Sequence, residues 1–360
     1  MQTMSRAWVE IDPAALSHNL QLVKELAPSA KVMAVIKANA YGHGLAIAAR
    51  ALRLADEFAV TDVIEALELR AIDANTIITT LSADFNSLEL DAIDGKNIRP
   101  VVFNLQQVQA LQQAQLTTQL DIWIKVDTGM GRLGFMPSQV AEVIKQLADT
   151  DCVSSLSLMT HLANADDIAH ESNDQQLDAI GELEEIYDWR EISVLNSAGI
   201  LSRLGMRQQM IRPGLMLYGV SPMLKSSKQQ SKLKPSMNFK ARVISVKSVA
   251  ANTSIGYGSR YVTNKQTKIA TISCGYADGY PRHAPNGTPV IINGYKVPLV
   301  GRVSMDMITV DIQDLPILIG DIAILWGEQN SLETVAQMSA TIAYDLLVGI
   351  MPRVQRMLTS

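Results

Sequence analysis

Between residue 12 and about residue 220, short β-rich apolar runs alternate with longer stretches of helical pattern. One helical stretch covers 12–26, with Asp12 at the N-cap and Pro13 at the first helical position; another covers 172–187. Apolar runs separated by helical spacers, interpreted as parallel strands with right-handed crossovers, predict a (β/α)8 barrel. A doubly wound open sheet is the alternative, since a count of strands does not prove closure. The predicted strands are 32–37, 57–61, 76–81, 99–104, 121–126, 155–160, 191–196 and 210–219.

The pattern changes after residue 220. Residues 221–238 are rich in lysine and serine and poor in apolar residues, which predicts a linker or a long exposed connection. Residues 331–350 have a helical pattern. We therefore expect a barrel domain of residues 1–230 and a mainly β C-terminal domain of residues 231–360, into which the first ten or so residues can pair. The predicted strands of the second domain are 239–249, 267–275, 288–294, 295–301, 306–314 and 321–327, with a hairpin turn at Asn293-Gly294.

Composition narrows the class of protein. Apolar residues make up 48% and charged residues 19% of the 360 residues, as in ordinary globular proteins. A net charge of −5 without basic runs argues against nucleic acid as a partner. The two cysteines, Cys152 and Cys274, form no disulfide or zinc pattern. Without a signal-peptide pattern or an apolar run long enough to span a bilayer, we expect a cytoplasmic protein with no membrane partner.

Polar residues occur where the predicted barrel strands end. Catalytic residues of (β/α)8 barrels lie at these carboxyl ends. Lys37 closes an apolar run, and partial burial there would lower its pKa and make the amine nucleophilic. Each such residue alone is more simply a core residue or part of a rim ion pair, but several at one end predict a site. They are Lys37, Lys125, Asp127, His161, Asn196, Ser197 and Arg212.

Two loops predict a phosphate site. Residues 196–199 and 213–215 follow the seventh and eighth predicted strands, the usual phosphate position of this fold, and Tyr41 could reach the same group. A lysine, a phosphate-binding loop and an arginine for a ring nitrogen are what a pyridoxal phosphate enzyme needs. The GxGxxG pattern of 129–134 is weak evidence for dinucleotide binding, because no clear helix opens within its glycines.

Motifs along almost the whole chain resemble those of the alanine racemases, which are fold type III pyridoxal phosphate enzymes. Segment 34–44, AVIKANAYGHG, is similar to the family's cofactor-lysine signature. Further segments resemble family motifs in the expected order, and such a series is very unlikely to arise by chance. They are 125–134, 160–166, 196–199, 211–219, 256–261, 275–282 and 300–307.

The resemblance implies a racemase with two bases, in which Lys37 holds the cofactor covalently and also acts as the base on one face of the substrate. Tyr257 of the partner subunit would be the base on the opposite face, so the active sites would be composite sites of a homodimer. Racemisation requires such a pair, because one group removes the α-proton and another returns it from the other side. Arg212 would face the pyridine nitrogen and disfavour its protonation.

The remaining implied roles concern cofactor and substrate binding. Lys125 matches a lysine that is carbamylated in many members and that orients Arg132, while His161 would link Arg212 to Tyr257. The phosphate would be bound by Tyr41, Asn196, Ser197, Gly214 and Leu215. Arg132 would contact the phenolic oxygen of the cofactor and also the substrate carboxylate, which would meet the backbone amide of the partner's Met305 as well. Tyr276 would narrow the entrance.

One departure affects the expected substrate. Where many members have a pocket tyrosine followed by RVPR, this chain has Pro352 and then Gln355 in place of proline. The favoured substrate is alanine, for peptidoglycan synthesis or D-alanine breakdown; a racemase of broader specificity, acting for example on serine, is the alternative. Arg212 argues against the amino-acid decarboxylases of this fold, which typically place glutamate there. Residues 235–360 argue against the single-barrel pyridoxal phosphate carrier proteins.

Overall fold

The computed structural model describes residues 6–205, 209–223 and 230–359. Its strands are β1 (Ala7–Ile11), β2 (Lys31–Val35), β3 (Glu57–Val60), β4 (Ile77–Thr80), β5 (Ile98–Val102), β6 (Leu120–Lys125), β7 (Val153–Met159), β8 (Ile192–Asn196), β9 (Met210–Arg212), β10 (Met237–Val249), β11 (Ser254–Ile255), β12 (Tyr261–Val262), β13 (Thr267–Ile272), β14 (Pro289–Ile292), β15 (Tyr295–Pro298), β16 (Ile308–Asp311), β17 (Ile322–Trp326) and β18 (Gln355–Leu358).

Its helical segments are α1 (Pro13–Leu26), α2 (Lys37–Tyr41, a left-handed turn), α3 (Leu45–Ala51), α4 (Val63–Ile72), α5 (Ser87–Ile93), α6 (Leu105–Gln113), α7 (Val140–Ala148), α8 (Ser172–Glu184), α9 (Ser197–Ser202), α10 (Leu332–Met338) and α11 (Ala343–Val348). The described residues divide into two compact units. The first contains Leu16–Ala40 and the described part of Leu45–Leu233. The second contains the chain up to Ala15, Tyr41–Gly44 and the chain from Lys234 onward.

Strands β2 to β9 form a closed parallel barrel, which confirms the predicted (β/α)8 architecture and excludes the open sheet. The closing pair joins β9 to β2, with Lys31 opposite Met210 and Val32 opposite Ile211. The strands are largely buried because both faces of the sheet are covered, as β3 illustrates with four buried residues. The helices bury one stripe each: α7 buries Val140, Val143, Ile144 and Leu147, at helical spacing.

Polar residues at the amino ends of the barrel strands form a structural ion network. Buried Arg99 donates from Nη1 to Glu57 at 2.9 Å and to Glu191 at 2.8 Å, and Glu191 also pairs with Lys31. Each of these charges has an opposite partner, as a buried charge requires. The network closes the end of the barrel opposite to the strand ends that carry the candidate residues.

Some predicted boundaries are wrong, for local reasons. The eighth barrel strand covers only Met210–Arg212 instead of 210–219, because Pro213 lacks an N–H and the chain turns at Gly214 into a 3₁₀ helix, Leu215–Tyr218. The first strand ends at Val35, before Lys37. The predicted C-terminal helix is two helices, α10 and α11.

The second unit is built on a sheet of eight strands, including β10, β13, β14 and β17. Strand β1 lies between β10, to which it is antiparallel, and β18, to which it is parallel. The predicted hairpin is confirmed: β14 and β15 are joined by Asn293 and Gly294 with φ of +49° and +80°, as a type I′ turn requires. Residues 224–229 of the predicted linker lie outside the described residues. Within the described chain no helix is both long and apolar enough to cross a membrane.

Candidate active site

Lys37 follows the carboxyl end of β2 and is half-buried. Burial lowers the pKa of its amine, and the positive charge of Arg132 lowers it further, whereas the Glu65 carboxylate opposes both effects. A lowered pKa leaves more of the amine uncharged at neutral pH, the form that can attack a carbonyl or accept a proton.

The backbone after Lys37 has the left-handed conformation, which residues other than glycine rarely adopt. Ala38, Asn39 and Ala40 have φ of +53°, +51° and +53°, and Tyr41 continues the turn at +50°. A left-handed conformation costs about 1–2 kcal/mol for each residue that carries a Cβ. The Asn39 side chain stabilises the turn by accepting the Leu45 N–H at 2.8 Å, and Glu65 accepts the Ala38 N–H at 2.7 Å.

Arg212 lies at the end of β9 and is buried. Its guanidinium donates to Ser193 Oγ and to the carbonyl oxygens of Thr160 and Val194, and Nη2 lies 3.5 Å from Nδ1 of His161. Burial lowers the pKa of Arg212 to about 10, so the group remains charged at neutral pH. Burial and the charge of Arg212 lower the pKa of His161 to about 3, so the imidazole is neutral.

Lys125, the last residue of β6, is 7% exposed. Burial lowers the pKa of its amine to about 8, helped by the positive charges of Arg212, Arg132 and Lys37. The cationic side chains predicted from the strand ends therefore do lie close enough to affect one another. Such a concentration of positive charge favours anionic ligands.

Asp127 organises the glycine-rich segment that carries Arg132. Its Oδ1 accepts the N–H groups of Gly129, Met130 and Gly131 at 2.8–3.0 Å, and its Oδ2 accepts that of Arg132 at 3.0 Å. These bonds lower the pKa of the carboxyl group against the opposing effect of burial. No helix starts within 129–134, so the segment is a loop around a carboxylate and not a dinucleotide-binding turn.

Ser197 links the two loops of the predicted phosphate site. Its Oγ accepts the buried N–H groups of Gly214 at 2.8 Å and Met216 at 3.3 Å, while Asn196 caps α9 by accepting the Gly199 N–H. Leu215 is 1% exposed, and its N–H has no acceptor among the bonds of the described residues. A buried donor in this state indicates a missing acceptor, which an anionic ligand could supply.

We expect Ser197→Ala to lower the free energy of unfolding by about 1–3 kcal/mol, because it leaves two buried N–H groups without their acceptor. Ser202→Ala, on the same helix, is the matched control: the Ser202 hydroxyl donates to Ala198 O, and its loss orphans no N–H. Urea unfolding of the full-length chain measures both. Equal losses in the two variants would contradict the role given to Ser197.

The other predicted site residues lie in the second unit. Tyr257 is 68% exposed and is the first residue of a 3₁₀ turn. Gly256 and Gly258, the residues on either side of it, both have positive φ. Tyr276 and Met305 lie on adjacent segments: Tyr276 N–H donates to Ser304 O, and Ala277 N–H to Met305 O. The Arg282 guanidinium lies 5.5 Å from the centre of the Tyr276 ring. Met305 is 53% exposed, so Tyr257 and Met305 both face outward from their own unit.

Tyr41 is buried and packs against Tyr344, with ring centres 5.9 Å apart. Burial raises the pKa of its phenol, which therefore keeps its proton and remains a hydrogen-bond donor. Its neighbour Gly42 is constrained, because a Cβ there would lie 2.1 Å from Leu347 O. Strand and loop patterns do not predict these contacts, which depend on α11.

Sequence reasoning missed two residues that support the site. From its position in the sequence, Glu65 is an ordinary acidic residue in the first turn of α4, and Gln176 is an ordinary polar residue of α8. Gln176 is buried; its Nε2 donates to Thr128 Oγ1 and His161 O, and its Oε1 accepts the Ala163 N–H. The local pattern does not mark their contacts with the site, because Glu65 bonds to Ala38, 27 residues away, and Gln176 bonds to Thr128, 48 residues away.

Comparison with known proteins places the chain. The models of the N-terminal and C-terminal domains of alanine racemase match residues 11–222 and 236–358. An alanine racemase of Vibrio vulnificus is 42% identical over 99% of this chain and 96% of that protein. The biosynthetic alanine racemase of Pseudomonas aeruginosa superposes with a TM-score of 0.95 at 39% identity, over 99% of this chain and all of that one. The Acinetobacter baumannii enzyme gives 0.93 at 36%, with the same coverage. The chain belongs to the alanine racemase family.

Proposed function

We propose that this protein is a pyridoxal phosphate-dependent alanine racemase, which interconverts L-alanine and D-alanine in the cytoplasm and supplies D-alanine for peptidoglycan. The observation that carries the proposal is the convergence of Lys37, Lys125, Arg132 and Arg212 at one end of the barrel, with a lowered pKa at both lysines. The proposed division is a cofactor-binding barrel domain of residues 1–230, whose first ten or so residues pair into the other domain, and a mainly β domain of residues 231–360.

The donor set fits pyridoxal phosphate. Lys37 offers an amine of lowered pKa, and the buried N–H of Leu215 beside Ser197 and Gly214 offers a place for phosphate oxygens. Asn196 holds this loop, and Tyr41 supplies a protonated phenol. When bound, the cofactor supplies an electron sink that makes the α-proton of an amino acid acidic.

The protein's own groups then move the proton. Lys37 Nζ takes or returns the α-proton on one face, and Tyr257 Oη of the partner subunit does so on the other. Arg212 remains cationic toward the ring nitrogen, so it does not give that nitrogen a proton. Neutral His161 can receive a hydrogen bond from Arg212 and pass one on from its other nitrogen.

Substrate binding uses the remaining charges. Arg132, whose backbone N–H is held by Asp127 Oδ2, contacts the phenolic oxygen of the cofactor and receives the substrate carboxylate, together with the backbone N–H of the partner's Met305. Tyr276, flanked by Arg282, restricts the entrance. Tyr257 and Met305 are exposed on their own chain, which supports a homodimer whose second subunit covers them.

The direct test of the function is to incubate the purified protein and pyridoxal phosphate with single L-amino acids and to separate the enantiomers. We expect D-alanine to form fastest. Faster formation of D-serine would indicate a racemase of broader specificity, the alternative suggested by Pro352 in place of the family's pocket tyrosine. Absence of any D-enantiomer would refute the proposal.

We propose that Lys125 carries a carbamate that orients Arg132. Its neutral amine combines with CO₂ and releases one proton, and the product is an anion among three cations. Because only the neutral amine reacts, carbamate formation rises as the pH increases through about 8. We expect racemase activity to fall in CO₂-free buffer and to return with bicarbonate, and a carbamate carbon resonance to appear with ¹³C-bicarbonate. A Lys125→Ala protein that still shows this resonance would contradict the assignment.

A further inference from the structure

The Glu65 carboxylate joins two segments of the barrel. Its Oε1 accepts the N–H of Ala38, the residue after Lys37, at 2.7 Å. Its Oε2 accepts the N–H of Thr61, which follows β3, also at 2.7 Å. Both bonds have the length of charge-assisted hydrogen bonds, which are stronger than those between neutral groups. One side chain therefore fixes the backbone beside Lys37 to the neighbouring strand.

The segment that Glu65 holds needs external support. Ala38, Asn39 and Ala40 are all left-handed although none is glycine, and Ala38 and Asn39 are exposed, so packing does not impose their conformation. Within the turn, the Ala40 N–H donates to Ile36 O at 2.9 Å. Loss of the Glu65 bond would release the N-terminal half of the turn, to which the Lys37 side chain is attached.

Glu65 also differs in charge from the other groups near Lys37. Arg132 acts on the lysine as a cation, and Lys125 and His161 are themselves affected by its charge. Glu65 is the carboxylate that acts in the opposite direction. Glu65 thus keeps the pKa of the Lys37 amine higher than burial and the positive charge of Arg132 alone would leave it.

We propose that Glu65 is a positioning residue for Lys37: through its hydrogen bonds to the backbone of Ala38 and Thr61, it holds the left-handed turn that aims the lysine. The proposal rests on the proposed function for its catalytic consequence only. The geometry and the charge can be separated, because Glu65→Gln removes the charge and one acceptor, whereas Glu65→Asp keeps the charge but is too short to join Ala38 to Thr61. Glu68→Gln, an exposed carboxylate on the same helix, is the matched control.

The first measurement needs no bound cofactor. The full-length chain is first freed of any bound cofactor, so that the Lys37 amine is available. It is then acetylated with limiting acetic anhydride between about pH 6 and pH 10, and Lys37 modification is read by peptide mass spectrometry. We expect Lys37 in Glu65→Gln to react roughly two- to fivefold faster near neutral pH than in the wild type, since removal of the carboxylate lowers its pKa. Glu68→Gln should follow the wild-type profile, and Glu65→Asp should remain close to it.

The second measurement is racemase kinetics. We expect kcat to fall about tenfold or more in both Glu65→Gln and Glu65→Asp, with KM within about twofold, since a displaced base costs rate more than binding. A Glu65→Gln protein with a wild-type thermal midpoint and an unchanged Lys37 profile would overturn the charge role, and unchanged kcat in Glu65→Asp would overturn the positioning role. If the wild type racemises no amino acid, the proposed function fails, but the acetylation profiles still decide the effect of Glu65 on Lys37.

Discussion

Lys37→Ala is expected to lower kcat/KM for racemisation at least about 10³-fold, because it removes both the proposed attachment point of the cofactor and one of the two proposed bases. Chiral separation of D-alanine formed from L-alanine, with pyridoxal phosphate in excess, measures the loss. After borohydride treatment of the wild type, we expect the cofactor mass on the peptide that contains Lys37.

The control for this variant is Lys296→Ala, which removes an exposed lysine of β15 in the second unit. We expect it to keep wild-type activity. Recovery of the reduced cofactor on another lysine, or Lys37→Ala activity within about tenfold of the wild type, would show that Lys37 has neither role.

Tyr257→Phe is expected to lower racemisation at least about 10²-fold and to leave the fold unaffected. The side chain is 68% exposed, so loss of the hydroxyl should change the free energy of unfolding by no more than about 0.5 kcal/mol. Because Lys37 is still present on one face, the variant should exchange the α-hydrogen of one enantiomer in D₂O without inverting it. Proton NMR of L-alanine and D-alanine in separate incubations measures the exchange.

Tyr295→Phe is the matched control, since Tyr295 is 41% exposed on β15 and loses the same hydroxyl. We expect full racemase activity from it. Equal exchange of both enantiomers by Tyr257→Phe, or racemisation within about threefold of the wild type, would mean that another group serves the second face.

The barrel and its reactive end were predictable from the sequence, because buried parallel strands leave apolar runs and the carboxyl ends of those runs converge. Lys37 and Arg212 could be selected on that ground alone. The prediction of the last barrel strand as 210–219 missed its early end, although Pro213 cannot donate to a ladder and Gly214 permits a turn. For the barrel strands and the residues at their carboxyl ends, the sequence pattern and the fold agree.

The left-handed turn was not predictable. Alanine and asparagine carry no local signal for three successive positive φ angles. The support for the turn comes from Glu65, which lies on α4. Tyr257 presents a different difficulty. An exposed tyrosine in a β domain has no pattern that marks it as a base, so only the resemblance of 256–261 to a family motif selects it.

The central claim is that each active site combines Lys37 of one chain with Tyr257 of the partner subunit, and subunit mixing tests it most directly. Lys37→Ala and Tyr257→Phe proteins, each nearly inactive alone, are mixed and allowed to exchange, with exchange verified by native mass spectrometry of differently tagged chains. Random reassortment makes half of the dimers mixed, and each mixed dimer has one site with both bases, so about a quarter of wild-type activity should return. If exchange is complete and no activity returns, both bases come from one chain and the composite site is wrong.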